Sequence, residues 1–233
     1  MSNPYINKAD DGWEITPVGL EYLAEVVTDP EGPVYAFTNK LSPVLVGSAA
    51  ARVSRFTGDM RECLLSEFAQ LGNDRVEGLI DRVVGAYGDD SVKQLVTLQI
   101  VCEKVSNLAT KALEWSRLGS YLEQSTRYIP FNQKVDGRYK YHIPAELEGL
   151  CLRDYCRVMD KIFAIYSGMI PVMVEHVRQL RPQGEMDRAQ WLASTRADAL
   201  DRVRPVLPVA TRSTVAIVAS VQTVESLYYH LME

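Results

Sequence analysis

Residues that build metal centres and nucleophilic triads are scarce: the chain of 233 residues has four cysteines and three histidines. Cys63, Cys102, Cys151 and Cys156 form no CxxC pair and lie beside no histidine pair, so the spacing of a zinc site is missing. His142, His176 and His230 have no second ligand at helical spacing, which leaves a metal mechanism or a Ser/His/Asp triad without its parts. The thiols are read as free and mostly buried, and no metal is expected. No apolar run approaches the roughly 20 residues that span a bilayer. The opening segment MSNPYINKADDGWE has neither the basic nor the apolar stretch of a secretory signal, so the chain reads as cytoplasmic, without a membrane partner. An excess of positive charge is also lacking. The 25 basic and 30 acidic residues give a formal net charge of −5, the wrong sign for binding a nucleic-acid polymer. A basic pocket for one small anion stays open. With 47% hydrophobic and 24% charged residues, the composition is that of an ordinary soluble globular protein.

Along the chain, Leu20, Leu23, Ala24 and Val27 have helical spacing and predict a helix over Pro17 to Val27, followed by a turn-rich break at Thr28 to Pro33. Two more helical patterns, SPVLVGSAAARVSRF and MRECLLSEFAQL, are separated by Thr57, Gly58 and Asp59. Asp74 to Tyr87 is helical by period, with Gly88 as its stop. VTLQIVCEKV, Val96 to Val105, is rich in β-branched residues and predicts a strand; Ser106 then caps a helix through Trp115. SYLEQSTRYIPF reads as extended, and a short YKYHIP strand follows a VDGR turn. From Ala145 to Arg204 two long helices are expected. The first is interrupted near Pro171 and broken at RPQG, the second starts at Met186 and is closed by Pro205 and Pro208. STVAIVAS predicts a buried strand and VQTVESLYYHLME a closing helix. With no linker, repeat or composition shift, residues 1–233 read as one helix-rich α+β domain with a small sheet of non-consecutive strands.

The stretch of most chemical interest is WSRLGSYLEQSTRY, Trp115 to Tyr128. If Tyr121 to Arg127 is extended, the period of two puts Tyr121, Glu123, Ser125 and Arg127 on one face, either as a polar-ligand site or as a solvated strand face. An arginine fork, a serine hydroxyl and local backbone N–H groups together suit a phosphate. The tyrosines Tyr139, Tyr141, Tyr155, Tyr166, Tyr228 and Tyr229 read as core and interface packing, and Arg178, Arg181, Arg188 and Arg196 as a solvated helix face.

This stretch resembles the hallmark RHRxxSxxxxSxR of flavin-dependent thymidylate synthases, with Arg117, Ser120, Ser125 and Arg127 in register. AARVS (Ala50 to Ser54), YGDDSV (Tyr87 to Val92) and RPVLP (Arg204 to Pro208) are similar to other family landmarks and come in the family's order. Departures accompany the matches. Trp115 and Ser116 stand where the hallmark has arginine and histidine, and Asp89 replaces the turn histidine. Ser220 and Gln222 replace the late asparagine and arginine, and His230 or Leu231 falls where the closing helix carries an arginine. Among members the chain looks most like the uridylate methylases of polyoxin-type nucleoside-antibiotic pathways.

The resemblance implies an α+β thymidylate synthase-like fold with a small mixed or antiparallel sheet. It also implies C5 methylation of UMP or dUMP with FAD as cofactor and methylenetetrahydrofolate and NADPH as cosubstrates. Carried over by position, Glu123, Ser125, Thr126, Arg127, Arg204 and His230 bind the uridine nucleotide, with Arg127 and Arg204 as the catalytic cations. Ser54, Ser91, Ser116, Arg117, Gln222 and Ser226 line the flavin site. A homotetramer with sites at subunit junctions is implied as well. The alternative is a degenerate homologue that binds nucleotide or flavin, or serves as a partner subunit, without turnover.

Overall fold

The structure, a computed structural model, describes residues 3–9, 12–70 and 92–233. The helix read over Asp74 to Tyr87, its stop at Gly88, and Asp89 and Ser91 lie outside the described residues. Contacts divide the chain into two compact units, Met1–Gln99 with Val218–Glu233, and Ile100–Ile217. No linker joins them, because the chain passes from one to the other inside two strands.

The first unit opens with strands β1 (Ile6–Ala9) and β2 (Gly12–Ile15), antiparallel, with Ile6 opposite Ile15. The sequence reading missed this hairpin. In β1 only the side chain of Ile6 is buried, so there is no apolar alternation to see. Helix α1 (Pro17–Val26) starts where Thr16 accepts the Gly19 N–H on its hydroxyl, with proline in the first turn. Gly19 is required there, since a Cβ would overlap the Tyr5 carbonyl oxygen. Helix α2 (Pro43–Val53) repeats the device with Ser42. Helix α3 (Met60–Cys63) begins with a reciprocal capping box between Asp59 and Glu62, and runs on into a π-turn, Leu64–Phe68. Leu23, Leu45, Ala49, Leu64 and Leu65 form the core of this unit. Helices α4 (Val92–Leu95) and, late in the chain, α8 (Val221–Met232) also belong to it, tied by Lys93 Nζ to Glu225 Oε2 at 2.8 Å.

The larger sheet is three-stranded, from β3 (Thr97–Ser106), β4 (Ser120–Glu123) and β5 (Arg212–Ser220), in the order β3-β5-β4. Its strands are non-consecutive, as the sequence predicts. Bonds from Asn107 N to the Thr211 carbonyl and from Val221 N to the Val96 carbonyl make β3 and β5 antiparallel. Helix α5 (Asn107–Leu113) is capped by Ser106, α6 spans Gly149–Leu180, and α7 (Arg188–Val203) is capped by Asp187 and ends in a 3-10 turn at Arg204–Val206. The core of the second unit is Phe131, Tyr141, Phe163, Tyr166, Leu200 and Val203. The architecture is α+β and helix-rich.

Several expectations are corrected. Pro171 does not interrupt α6, which runs through it for 32 residues. An interior proline costs about 3 kcal/mol, and the packing of Met169, Ile170 and Met173 against the core offsets it. The extended reading of Ser120 to Phe131 holds only to Glu123. Beyond it the Ser125 hydroxyl accepts the Arg127 N–H at 3.2 Å, and the Ser125 carbonyl accepts the Ile129 N–H at 3.1 Å, which curls the chain into a turn. The YKYHIP strand reduces to one bridge, Tyr141 with Thr211. The turn before it has Asp136 and Gly137 at φ of 51° and 79°, as an Asp-Gly hairpin turn requires. Of the four free thiols only Cys63 is buried, its pKa pushed up to about 11 chiefly by desolvation. Tyr141 and Tyr166 are core residues, whereas Tyr228 and Tyr229 are exposed.

Candidate functional site

A cavity of about 490 Å³ opens on the second unit, within the usual range of small-molecule sites. One wall comes from α5, through Asn107 and Lys111. A second is the end of β4 and the turn after it, Glu123 to Thr126, and a third is the segment after α7, with Arg204, Pro205 and Leu207 to Val209. These segments meet because Asn107 N and Leu108 N donate to the Thr211 and Val209 carbonyls, while Gln124 N donates to Thr214 in β5.

Glu123 is fixed from two sides. Lys111 Nζ lies 2.9 Å from its Oε2 and Thr110 Oγ1, in a fully buried residue, is 3.2 Å from its Oε1. Lys111 also reaches Glu114 at 3.0 Å. Its hydrogen bond to Glu123 chiefly holds the ammonium pKa above the ordinary lysine value, against desolvation, with a smaller contribution from the bond to Glu114. Arg204 Nε lies 3.0 Å from Asp201 Oδ1, and Arg127 Nε lies 3.4 Å from the same oxygen. Distance makes both ion pairs, but the alignment of a hydrogen bond is missing and Oδ1 has no such partner. One carboxylate thus restrains two half-exposed guanidinium groups without saturating their donors.

Of the residues singled out in the sequence, Glu123, Ser125, Thr126 and Arg204 line this one cavity. Arg127 does not. Because β4 ends at Glu123, the alternation that would align Arg127 with Ser125 and Glu123 is lost, and the Arg127 side chain turns outward over Tyr128, sharing Asp201 with the cavity's Arg204. Ser116 and Arg117 lie on the exposed loop before β4. The Ser116 hydroxyl accepts the Leu118 N–H, its carbonyl accepts from Tyr121, and the Arg117 side chain makes no ion pair or hydrogen bond among the described residues. Trp115, where the hallmark has arginine, is 65% exposed. Ser54, Gln222, Ser226 and His230 belong to the first unit. Ser54 ends α2 and donates to the Ala51 carbonyl, and the other three lie on α8. Ser91 lies outside the described residues.

Sequence reasoning missed Asn107, Thr110, Lys111 and Asp201. The first three stand at i, i+3 and i+4 on one helix, a polar stripe that the helical period makes visible once it is sought. Asp201 carries a weaker signal, three residues before Arg204 and on the same helical path.

The profile of the family described as Thymidylate synthase complementing protein, Thy1, matches residues 41–231. Among relatives, a UPF0159 protein of Chlamydia muridarum is 31% identical, with 91% of this chain and 44% of that protein covered. One of Chlamydia pneumoniae is 33% identical over 85% of this chain and 40% of the relative. One of Thermoplasma acidophilum is 31% identical over 80% and 42%. The chain spans less than half the length of these relatives. Two crystal structures of the flavin-dependent thymidylate synthase ThyX of Helicobacter pylori, solved with FAD and dUMP, align at 16% and 17% identity. Each covers 79% of this chain, with 77% and 78% of theirs, at TM-scores of 0.39 and 0.40. With the family profile spanning the hallmark segment, both later cavity walls and most of each unit, the chain belongs to the thymidylate synthase complementing protein family.

Proposed function

We propose that this protein is a flavin-dependent C5 methylase of uridylate, acting on UMP and dUMP. The observation that carries this reading is the convergence of Glu123, Ser125 and Thr126, from one turn, with Arg204, distant in sequence, on one nucleotide-sized cavity. Lys111 and Arg204 set cations on two of its walls, and the turn after β4 sets backbone N–H groups and two hydroxyls between them. That is the equipment of a phosphate cradle, with the second cation free to face the carbonyl oxygens of a pyrimidine. Carbon 5 of uracil is a weak nucleophile, so a guanidinium near the carbonyls stabilises charge as it develops on the ring. The fixed carboxylate of Glu123 holds Lys111 in place and orients the nucleotide.

FAD, reduced by NADPH, would supply hydride, and methylenetetrahydrofolate the one-carbon unit. Arg117 fits a role in holding the flavin diphosphate, since its donors are exposed and not used by described residues. Ser116 fits less well, its hydroxyl being engaged with Leu118 N. With Trp115 in place of an arginine, flavin is held by fewer charged contacts. Each lost contact is worth about 1.5–3 kcal/mol, or about tenfold to a hundredfold in affinity. By family position Ser54, Ser91, Gln222 and Ser226 complete the flavin assignment and His230 the nucleotide assignment, and we read the assembly as a homotetramer with sites at subunit junctions. A nucleoside-antibiotic pathway fits relaxed selection at the sugar, with kcat/KM for UMP and dUMP within about a hundredfold.

The engaged Ser116 hydroxyl and the exposed Trp115 favour a second reading, a nucleotide-binding homologue without turnover. One experiment separates the two. Titration with FAD, followed by side-by-side assays of UMP and dUMP with both cosubstrates and mass detection of product, should give saturable flavin binding and methylation of both nucleotides. Absence of flavin binding at millimolar FAD supports the non-catalytic reading, and turnover of dUMP alone removes UMP as a substrate.

A further inference from the structure

Two more spaces open on the second unit, of about 300 and 520 Å³, and they share Lys104, Val135, Lys140 and Arg212 on their walls. Arg138 joins the larger one. Four cations therefore border adjoining spaces, and none of them makes an ion pair among the described residues. The acids on the walls are Glu103 and Asp136, one on each space, which leaves positive charge in excess.

The backbone organises this cluster. Lys104 sits inside β3 at a φ of 59°, a left-handed conformation that is unfavourable for a residue with a Cβ and that redirects a strand side chain. Arg212 N donates to the Lys140 carbonyl at 2.8 Å, so two of the cations are set by one strand pairing. The Asp136-Gly137 turn brings Arg138 beside them. Two buried polar atoms, Arg212 Nε and Ser213 Oγ, have no hydrogen-bond partner, and Ser213 is only 2% exposed. Such atoms are costly to leave unmatched. The rings of Tyr139 and Tyr141 pack against Phe163, so they are engaged in the core and the chemistry on offer is that of an anion site.

We infer that this cationic region binds the diphosphate group of a small-molecule ligand, separately from the cavity at Glu123 and Arg204. Adjoining spaces with shared cations suit two linked phosphoryl groups, and Ser213 Oγ and Arg212 Nε supply donors that a phosphate oxygen can satisfy. The two sites have Gln124 in common on their walls and no charged residue. The inference therefore stands whether or not the protein methylates uridylate.

The test is calorimetric titration of the full chain with inorganic pyrophosphate, in buffer carrying a constant excess of sulfate. One saturable site per chain is expected in this region, beside any pyrophosphate held at the phosphate cradle of the first cavity. The Lys104→Glu/Lys140→Glu variant changes two exposed side chains and should lose about a hundredfold in affinity, about tenfold for each charge-assisted contact removed. Arg204→Ala should leave the affinity of this second site unchanged. If the double variant melts below the parent, Arg138→Ala replaces it, with a loss of about tenfold expected. ADP should bind as pyrophosphate does and AMP more weakly. Binding at this second site that survives the double variant and Arg138→Ala, that is lost with Arg204→Ala, or that sulfate abolishes would overturn the inference; so would AMP binding as tightly as ADP.

Discussion

At the cavity lined by Glu123 and Arg204 each cation has an acid beside it. Lys111 has Glu114 and Glu123, and Arg204 shares Asp201 with Arg127. At the second region, Lys104, Arg138, Lys140 and Arg212 have no such partners among the described residues. Internal counter-ions hold side chains in place before a ligand arrives, so the first cavity is preorganised and a ligand need only displace or share a partner. Uncompensated cations favour any anion at long range and are screened by salt. The first arrangement suits orientation of a nucleotide, the second recognition of a multiply charged anion.

The largest effect is expected in the core of the second unit, beneath the second region. Phe163 is fully buried and carries the rings of Tyr139 and Tyr141, so Phe163→Ala should destabilise the protein by about 3–5 kcal/mol. Urea unfolding reads this as a lower midpoint, and a loss under about 1 kcal/mol would place the supporting core elsewhere. Next comes the comparison of cavities by ligand. Arg204→Ala should cost about 1.5–3 kcal/mol in uridylate binding, about tenfold to a hundredfold in Kd, with the urea midpoint unmoved. Arg127→Ala should weaken the same binding less, because Arg127 stands off the cavity wall, and should leave the fold intact. If instead Arg127→Ala lowers the midpoint strongly, its pairing with Asp201 is structural.

A smaller effect sharpens the idea of competition for the arginines. Asp201→Asn removes the carboxylate that restrains both, at a stability cost of about 0–1 kcal/mol for exposed pairs, and should tighten uridylate binding several-fold. Weaker binding would mean that Asp201 positions Arg204 rather than competing with the ligand. The smallest effect is on pH dependence. The pKa of Lys111 is raised by Glu123, so its pairing contributes fully below the ordinary lysine value and is lost as pH rises above that value and through the folded one. Lys111 is more than half exposed and screened, so the alkaline loss should stay under about 1 kcal/mol and vanish in Lys111→Met. Equal alkaline loss in the variant would remove Lys111 from the account.

Much of the fold was legible locally. Thr16, Ser42 and Ser106 cap helices because their hydroxyls accept backbone N–H groups within one turn, and the prolines after Thr16 and Ser42 mark the same starts. The strand at Val96 to Val105 showed through its β-branched residues. The hairpin of β1 and β2 did not show, because its four-residue strands bury too few side chains to leave a period. Pro171 misled, because the signal for a break is local whereas the packing of Met169, Ile170 and Met173 that overrides it comes from distant residues. For the candidate site, the family resemblance pointed to Glu123, Ser125, Thr126, Arg127, Arg204 and His230, and the cavity holds Glu123, Ser125, Thr126 and Arg204 but not Arg127 or His230.

The sequence by itself determined where helices start, which segments can pair as strands, and which residues could meet an anion, since caps, branching and side-chain chemistry act over a few positions. The tertiary structure alone decided that β4 stops at Glu123 and turns Arg127 away, and that Thr110 and Lys111 hold Glu123. It also decided that Lys104, Arg138, Lys140 and Arg212 share adjoining spaces. These outcomes depend on hydrogen bonds and packing between residues far apart in the chain, and no local pattern records which distant partner satisfies a given polar group.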